Sequence, residues 1–432
     1  MKLKTLSTAM ILATVPMTGA FAAALDRSGQ SISAFLQPGN YFEAGISVLD
    51  PNVSGKVNNG YTPNPAAPAS AIGLQNTNLS DMGDDYYFPS AALKLQLTDN
   101  FSFGLIYDQP FGADATYSAT DSSSPAVLPG ALAAFQGQGL FHNGSESTKV
   151  EVKTQNISML FGFQPNKNLN FYAGPVYQTV EGDVQLRGLA YGGSSTFGSY
   201  NANMEEDGSV GWLAGFAYQI PDIALKASLT YRSEIDHDAK TTETFNTGLF
   251  AGLNLQPNSS TSITTPQSVN LDFQTGIMAD TVAFANVRWV EWSNFSIRPP
   301  KFGTASVQAP VVASTGKPNG FDLVAYSDDQ ISATVGVGRK LSEQWAGNVS
   351  VGYDTGAGNP VSTLGPTEGY WNVGLGLQFS PAPNYFIAGG VKYFWLGDAK
   401  AQSGAQFGTP NTVASFEDND ALAYGLKIGY RF

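Results

Sequence analysis

An all-β fold, a transmembrane antiparallel barrel of about fourteen strands, is what this sequence predicts, and three observations predict it. The chain ends on a strict alternation, with Leu422, Tyr424, Leu426, Ile428, Tyr430 and Phe432 against Ala423, Gly425, Lys427, Gly429 and Arg431. One face is apolar and the other small or cationic, over the roughly 9 to 11 residues that a membrane-spanning strand needs. The chain begins with Lys2 and Lys4, an apolar stretch from Leu6 to about Met17, and small residues around Ala20-Phe21-Ala22. That order reads as a secretory signal peptide over residues 1–22. Beyond it no run approaches the roughly 20 apolar residues of a membrane helix, so an exported chain in a membrane must close as a barrel. The implied destination is the outer membrane of a Gram-negative bacterium.

Composition narrows the function classes. Charged residues make up 13% of the chain, against 47 Gly, 19 Tyr and 27 Phe. Loss of Lys2 and Lys4 leaves 20 basic against 35 acidic residues, a net charge of −15, which argues against nucleic acid as a partner. With no cysteine there are no disulfides, thiolate metal sites or cysteine nucleophiles. No cofactor or metal motif is present, since phosphate-loop and His-rich spacings are missing and Gly336 to Gly338 lies inside a strand pattern.

The alternation recurs from Tyr41 to the C-terminus without a linker, so 41–432 reads as one barrel. Strands are predicted near 41–49, 86–98, 101–117, 146–164, 168–187, 204–220, 223–243, 266–279, 281–298, 321–340, 345–358, 369–380, 384–400 and 416–432. An even count places both ends of the barrel on the periplasmic side. The pattern is clearest where Leu225, Ala227, Leu229 and Tyr231 oppose Lys226, Ser228, Thr230 and Arg232, and where Trp371 to Phe379 alternates with Asn372, Gly374, Gly376 and Gln378. Trp212, Trp345, Trp371 and Trp395 sit near strand ends, where indoles favour the membrane interface. Connections after even strands are short and those after odd strands long, as outer-membrane barrels require.

Two long outer segments are apolar. Pro125 to Phe141 carries Leu128, Leu132, Phe135 and Phe141, and Phe245 to Leu255 carries Leu249, Phe250 and Leu253. Either they pack on each other to close the mouth, or they form a groove for a hydrophobic ligand. Residues 23–40 precede the barrel and carry Ile32, Phe35 and Leu36, enough apolar surface to fold into the lumen as a plug. In the third strand, Gln109, Pro110, Phe111 and Gly112 interrupt a strong run. Proline donates no ladder hydrogen bond and glycine permits a bulge, so the strand should kink. The kink either opens the wall laterally or is a harmless bend. Inward-facing Arg232 and Arg288 pair either with a ligand carboxylate or with lumen acids such as Asp272.

The chain resembles the FadL-type long-chain fatty acid transporters of outer membranes. The likeness rests on the order of signal peptide, plug, fourteen strands, broken third strand and terminal aromatic. Local likenesses are Leu25 to Gln30, Gly39-Asn40-Tyr41, Tyr107 to Gly112, Thr265 to Leu271 and Trp289 to Phe295. It departs from the family at the plug, where Gln37-Pro38-Gly39-Asn40 stands in place of an Asn-Pro-Ala-Gly-like element. The resemblance implies passive transport of a long-chain fatty acid or another hydrophobic small molecule, captured by outer loops and released through the kinked strand after the plug rearranges. Uncharged hydrocarbons or monoaromatics by the same route are the alternative. The implied partners are lipopolysaccharide and outer-membrane lipids, and the implied state is a monomer. Two competing classes are an open porin and an outer-membrane hydrolase. The hydrolase would rest on Asp236-His237-Asp238, whose adjacent side chains point to opposite faces and which reads as a solvated rim cluster.

Overall fold

A computed structural model describes residues 25–61, 73–121, 130–246, 250 and 258–432. The signal-peptide reading of residues 1–22 lies outside these residues. Fourteen antiparallel strands close a barrel: β1 (Tyr41–Asn52), β2 (Tyr86–Gln96), β3 in two pieces (Phe101–Asp108 and Gly112–Thr116), β4 (Lys149–Asn166), β5 (Leu169–Gln185) and β6 (Tyr200–Ile220). They are followed by β7 (Leu225–Arg232 and Ile235–Phe245), β8 (Ser260–Thr265 and Ser268–Met278), β9 (Thr281–Val290) and β10 (Gln330–Lys340). The last four are β11 (Trp345–Asp354), β12 (Glu368–Ala382), β13 (Tyr385–Gly397) and β14 (Asp420–Arg431). Closure comes from β1 on β14, in register from Tyr41↔Arg431 to Asn52↔Asp420.

The period-two pattern decides the facing. On β14 the side chains of Leu422, Tyr424, Leu426, Ile428 and Tyr430 are exposed while Ala421, Ala423 and Lys427 are buried. Along β7, Ser228, Thr230 and Arg232 are buried and Leu229 is exposed. A soluble protein would bury the opposite set; here the apolar face meets lipid and the polar face fills the interior. Aromatic pairs mark both interfaces: Tyr353–Trp371 (4.6 Å) and Tyr393–Trp395 (4.9 Å) at the outer end, Trp345–Phe379 (4.7 Å) and Phe101–Phe163 (5.2 Å) at the periplasmic end.

Several boundaries differ from the sequence reading. The tenth strand starts at Gln330, not Phe321, and the ninth ends at Val290, not Arg298. The intervening residues alternate like a strand because Trp292, Phe295, Ile297, Phe321 and Leu323 are buried inside the outer mouth, in the connection between β9 and β10. That connection holds a two-strand ribbon (Ser296–Ile297 with Val324–Ala325) and two short helices, α1 (Pro300–Ser306) and α2 (Ala309–Thr315). Elsewhere on the outer face, Gly55–Val57, Asn78–Leu79, Val361–Ser362, Ala399–Gln402 and Ala414–Phe416 join three other connections in a small sheet.

Candidate functional site: the kinked wall and the segment that closes it

The kink in β3 has a countable cause. The ladder with β4 runs from Phe101↔Phe163 to Asp108↔Asn156 and resumes at Gly112↔Lys153. Residues 109–111 therefore oppose only 154 and 155. One extra residue is a β-bulge, which bends the bulged strand. The cost falls on the other neighbour, because β2 pairs with β3 only from Ala91↔Tyr107 to Gln96↔Ser102. Residues 86–90 keep their pairing with β1 but face the second piece of β3 without a ladder. The wall is open in hydrogen bonding there, bridged outward by Tyr86 Oη donating to the Asp114 carbonyl (3.0 Å).

Residues 25–40 lie against the inner wall at this level and supply what the kink lacks. The amide of Arg27 donates to the Pro110 carbonyl (2.6 Å), and Gly112 donates to the Leu25 carbonyl (2.8 Å). The kink is also tied to β4, where Thr154 Oγ1 accepts from the Phe111 amide (2.9 Å) and donates to its carbonyl (2.7 Å). Polar wall residues fix the rest of the segment. Arg288 holds Asp26 through Nε (2.7 Å) and Nη2 (3.2 Å), and Asn270 donates to the Gly29 carbonyl (2.7 Å). Ser28 donates to Asp108 (2.5 Å), while Lys94 and Lys226 donate to the carbonyls of Gln37 (2.8 Å) and Leu36 (3.1 Å). Phe35 seats against two wall glycines: a Cβ on Gly104 would lie 2.5 Å from Phe35 Cδ2, and one on Gly162 would lie 2.9 Å from Cζ. Ile32, Phe35 and Leu36 are all buried.

Above the kink, apolar side chains fill much of the outer lumen. A small hollow is lined by Leu25, Phe111, Val152, Met204, Ile263 and Trp292. Its hydroxyls are already engaged, Thr154 with Phe111 and Thr265 with Gln178 (2.5 Å). Trp292 is fully buried, edge-on to Phe111 (5.4 Å), Phe295 (5.2 Å) and Tyr326 (5.3 Å), with its indole N–H donating to Gln330 Oε1 (2.8 Å). A second hollow shares Leu25 and is lined by Arg27, Met82, Tyr86, Val150 and Tyr326. Below residues 25–40 lies a larger cavity of about 270 Å³ reaching Ser90, Gln109, Lys226, Thr334, Ser350 and Lys392.

The sequence-derived candidates distribute unevenly over this geometry. Gln109, Pro110 and Phe111 form the bulge, and Gly112 resumes the ladder opposite Lys153. Arg288 faces inward, but its partner is Asp26 of the N-terminal segment; Asp272 instead accepts from Asn286 (2.8 Å). Arg232 is buried in the same wall, and its Nη1 makes no hydrogen bond. Phe141 stacks on Tyr117 (3.9 Å), whereas Phe250 packs on Phe197 (5.0 Å) and Phe245 (4.8 Å). The structure thus puts the two apolar loops in separate aromatic groups, with Phe135 half-buried against the apolar core. Leu128, Leu249 and Leu253 and the side chain of Leu132 lie outside the described residues. His237 is not solvated at a rim: it is buried, with Nδ1 3.2 Å from Asp207 and Nε2 3.1 Å from Gln178. Leu25, Met204, Ile263 and Trp292 were not singled out by the sequence, although the dense aromatic run Trp289 to Phe295 was a visible signal.

A family model described as outer membrane protein transport protein (OMPP1/FadL/TodX) matches residues 31–432. The chain belongs to that family. Family members are outer-membrane transport proteins, and this chain is accordingly an outer-membrane barrel of a Gram-negative bacterium. The fold agrees with solved members. A Pseudomonas aeruginosa FadL homologue superposes with a TM-score of 0.64 at 16% identity, over 93% of this chain and 92% of that one. The P. putida toluene transporter TodX gives 0.57 at 13% identity over 92% and 91%. The Ralstonia pickettii toluene transporter TbuX gives 0.56 at 11% identity over 96% and 98%. No curated protein matches the sequence.

Proposed function

We propose that this protein carries uncharged hydrophobic molecules, of the size class of monoaromatics and short hydrocarbons, inward across the outer membrane by passive diffusion. Residues 25–40 act as the plug. Cargo collects in the apolar outer half and leaves sideways between β2 and β3 once the segment holding the kink shifts. The observation that carries this reading is the shared lining of the two hollows: Leu25 of the plug borders both, and Phe111 of the bulge closes one of them. Withdrawal of Leu25 would join the hollows and, in the same movement, take the Arg27 amide from the Pro110 carbonyl and the Leu25 carbonyl from the Gly112 amide. Burial of apolar surface, about 25 cal/mol per Å², supplies the affinity, and no energy source is required. The cavity below sets Lys226, Asp272 and Lys392 among Ile32, Leu36 and Ile106, so an uncharged cargo there would also meet charged groups.

An uncharged cargo is favoured because the Trp292 hollow is lined by no cation and Arg288 is engaged by Asp26. Long-chain fatty acids are the second reading, supported by Arg27, which borders the other hollow with its guanidinium 4.9 Å from the Tyr86 ring centre. The working unit is a monomer set among outer-membrane lipids and lipopolysaccharide. The test is uptake of radiolabelled toluene and oleate by cells carrying this protein as their sole transporter of the class. Toluene uptake without oleate uptake is expected; oleate uptake alone would favour the fatty acid reading, and uptake of neither would overturn both.

A further inference from the structure

The connection between β9 and β10 lies over the apolar hollow. Its residues Trp292, Phe295 and Ile297 line that hollow, and Ser296–Ile297 runs beside the outer piece of β8. Farther along, α1 inserts Phe302 among Phe197 (4.8 Å) and Tyr200 (5.2 Å) around the start of β6 and Phe321 (5.6 Å) at the far end of its own connection. Apolar packing of this kind is non-directional and would let the helix slide. What fixes it is one carboxylate from the wall.

Glu243, near the outer end of β7, is 1% exposed. Its Oε2 accepts the Lys301 amide (2.8 Å), and its Oε1 accepts both the Phe302 amide (2.8 Å) and the Tyr200 hydroxyl (2.7 Å). The Lys301 ammonium donates back to the Glu243 carbonyl (2.9 Å). The carboxylate therefore joins β6, β7 and the helix-bearing connection at a single buried point. A buried charge is tolerated only when its acceptor capacity is filled, so the three donors and the carboxylate depend on one another. If the connection lifts, Glu243 loses two donors at once, and the connection loses its only described tie to a wall carboxylate through backbone amides.

We infer that residues 296–325 form a lid over the outer apolar hollow and that Glu243 is the positioning residue that latches it shut. Arg298 keeps the lid a single body by donating to the Asn319 carbonyl (2.7 Å) across its base. Lid movement then sets how fast cargo reaches the hollow from outside. This inference rests on the transport reading above for its second half only; the latch itself can be tested without any cargo.

The chain has no cysteine, so one introduced thiol reports alone. Ala305 on α1 is fully buried. In intact cells, Ala305→Cys should react slowly with a membrane-impermeant maleimide, and adding Glu243→Gln should speed labelling at least tenfold, because the carboxamide offers one acceptor and opposes an amide with its NH₂. Tyr200→Phe, which removes one donor and no acceptor, should give a smaller increase. Both variants must keep the heat-dependent gel mobility of a folded barrel; should Glu243→Gln lose it, Tyr200→Phe carries the test. Equal labelling in all folded variants would overturn the latch. If labelling rises, initial toluene uptake by Glu243→Gln at low concentration should rise severalfold; faster labelling with unchanged uptake would overturn the role in admission while leaving the latch. Failure of every variant and of the parent to take up toluene would count against the transport reading, and the labelling rates would still decide the latch.

Discussion

Two hollows of the lumen differ in what lines them. Outward of the kink, Leu25, Phe111, Val152, Met204, Ile263 and Trp292 surround a hollow whose few hydroxyls are spent on the backbone and on Gln178. Below residues 25–40, Lys226, Thr334, Ser350 and Lys392 share the border of a cavity of about 270 Å³ with Ile32, Leu36 and Ile106, and it reaches Ser90 and Gln109 beside the kink. An apolar molecule meets no cation in the first, whereas in the second it would also displace water from charged and hydroxyl groups that need hydrogen bonds. The boundary between them lies at the bulge, where β2 and the outer piece of β3 lack a ladder; the β6–β7 ladder is interrupted as well, between Arg232↔Leu213 and Thr241↔Met204. Under the proposed function, cargo would move inward along the axis as far as Phe111 and then sideways.

Breaking that contrast at the boundary should have the largest effect. Deleting Gln109 leaves two residues opposite 154 and 155, restores the β3–β4 register and removes the bend; toluene uptake should fall tenfold or more while the barrel retains its folded gel mobility. Next, Arg288→Ala leaves Asp26 buried without its partner. Breaking a buried pair from one side costs about 3–5 kcal/mol, and here the loss falls on the N-terminal segment. Limited proteolysis should cut near residues 25–40 in the variant and not in the parent, and Asp26→Ala added to Arg288→Ala should partly restore protection. Trp292→Ala should lower stability by about 3–5 kcal/mol, read as a shift in the urea midpoint of unfolding. The same measurement on Thr334→Val in the polar cavity should move little, and equal shifts would erase the distinction between dry and wet halves.

The smallest effect concerns pH. His142, in the outer connection between β3 and β4, is buried with its Nε2 against the Asp121 carbonyl and its Nδ1 accepting the Gly144 amide (3.0 Å). Burial holds this imidazole below its ordinary value of 6.5, so the open connection binds the proton better than the packed one. The stabilisation is present above pH 6.5 and is lost as pH falls through that value. Proteolysis of residues 118–148 should be modestly faster at pH 5.5 than at pH 7.5, and His142→Asn should abolish the difference.

Much of this architecture is legible in the sequence because it rests on local rules. Strand count and facing follow from a period of two, and the bulge follows from Pro110 and Gly112. What is not legible depends on pairs brought together by closure. Asp26 and Arg288 are 262 residues apart, and nothing local links them. The same holds for Glu243 with Lys301 and for His237 with Asp207, whose burial reversed the expectation of a solvated rim. The start of β10 was misplaced because apolar alternation cannot distinguish a strand facing lipid from a connection buried in the mouth. Phe321 and Leu323 satisfy either. The apolar loops are expected to pack on each other or to form a groove, and the sequence does not say that Phe141 and Phe250 join different aromatic groups.

The most direct test of lateral release blocks the periplasmic end of the barrel. Gln378→Cys places a unique thiol there, beside Phe379, which pairs with Trp345, and a bulky maleimide attached to it in the purified barrel would obstruct the axial path to the periplasm. After reconstitution into liposomes, toluene uptake should stay within about twofold of the unmodified protein if the cargo leaves through the wall at the bulge. Loss of uptake on modification, restored in the unmodified Gln378→Cys control, would mean that cargo travels along the axis and would contradict release through the wall.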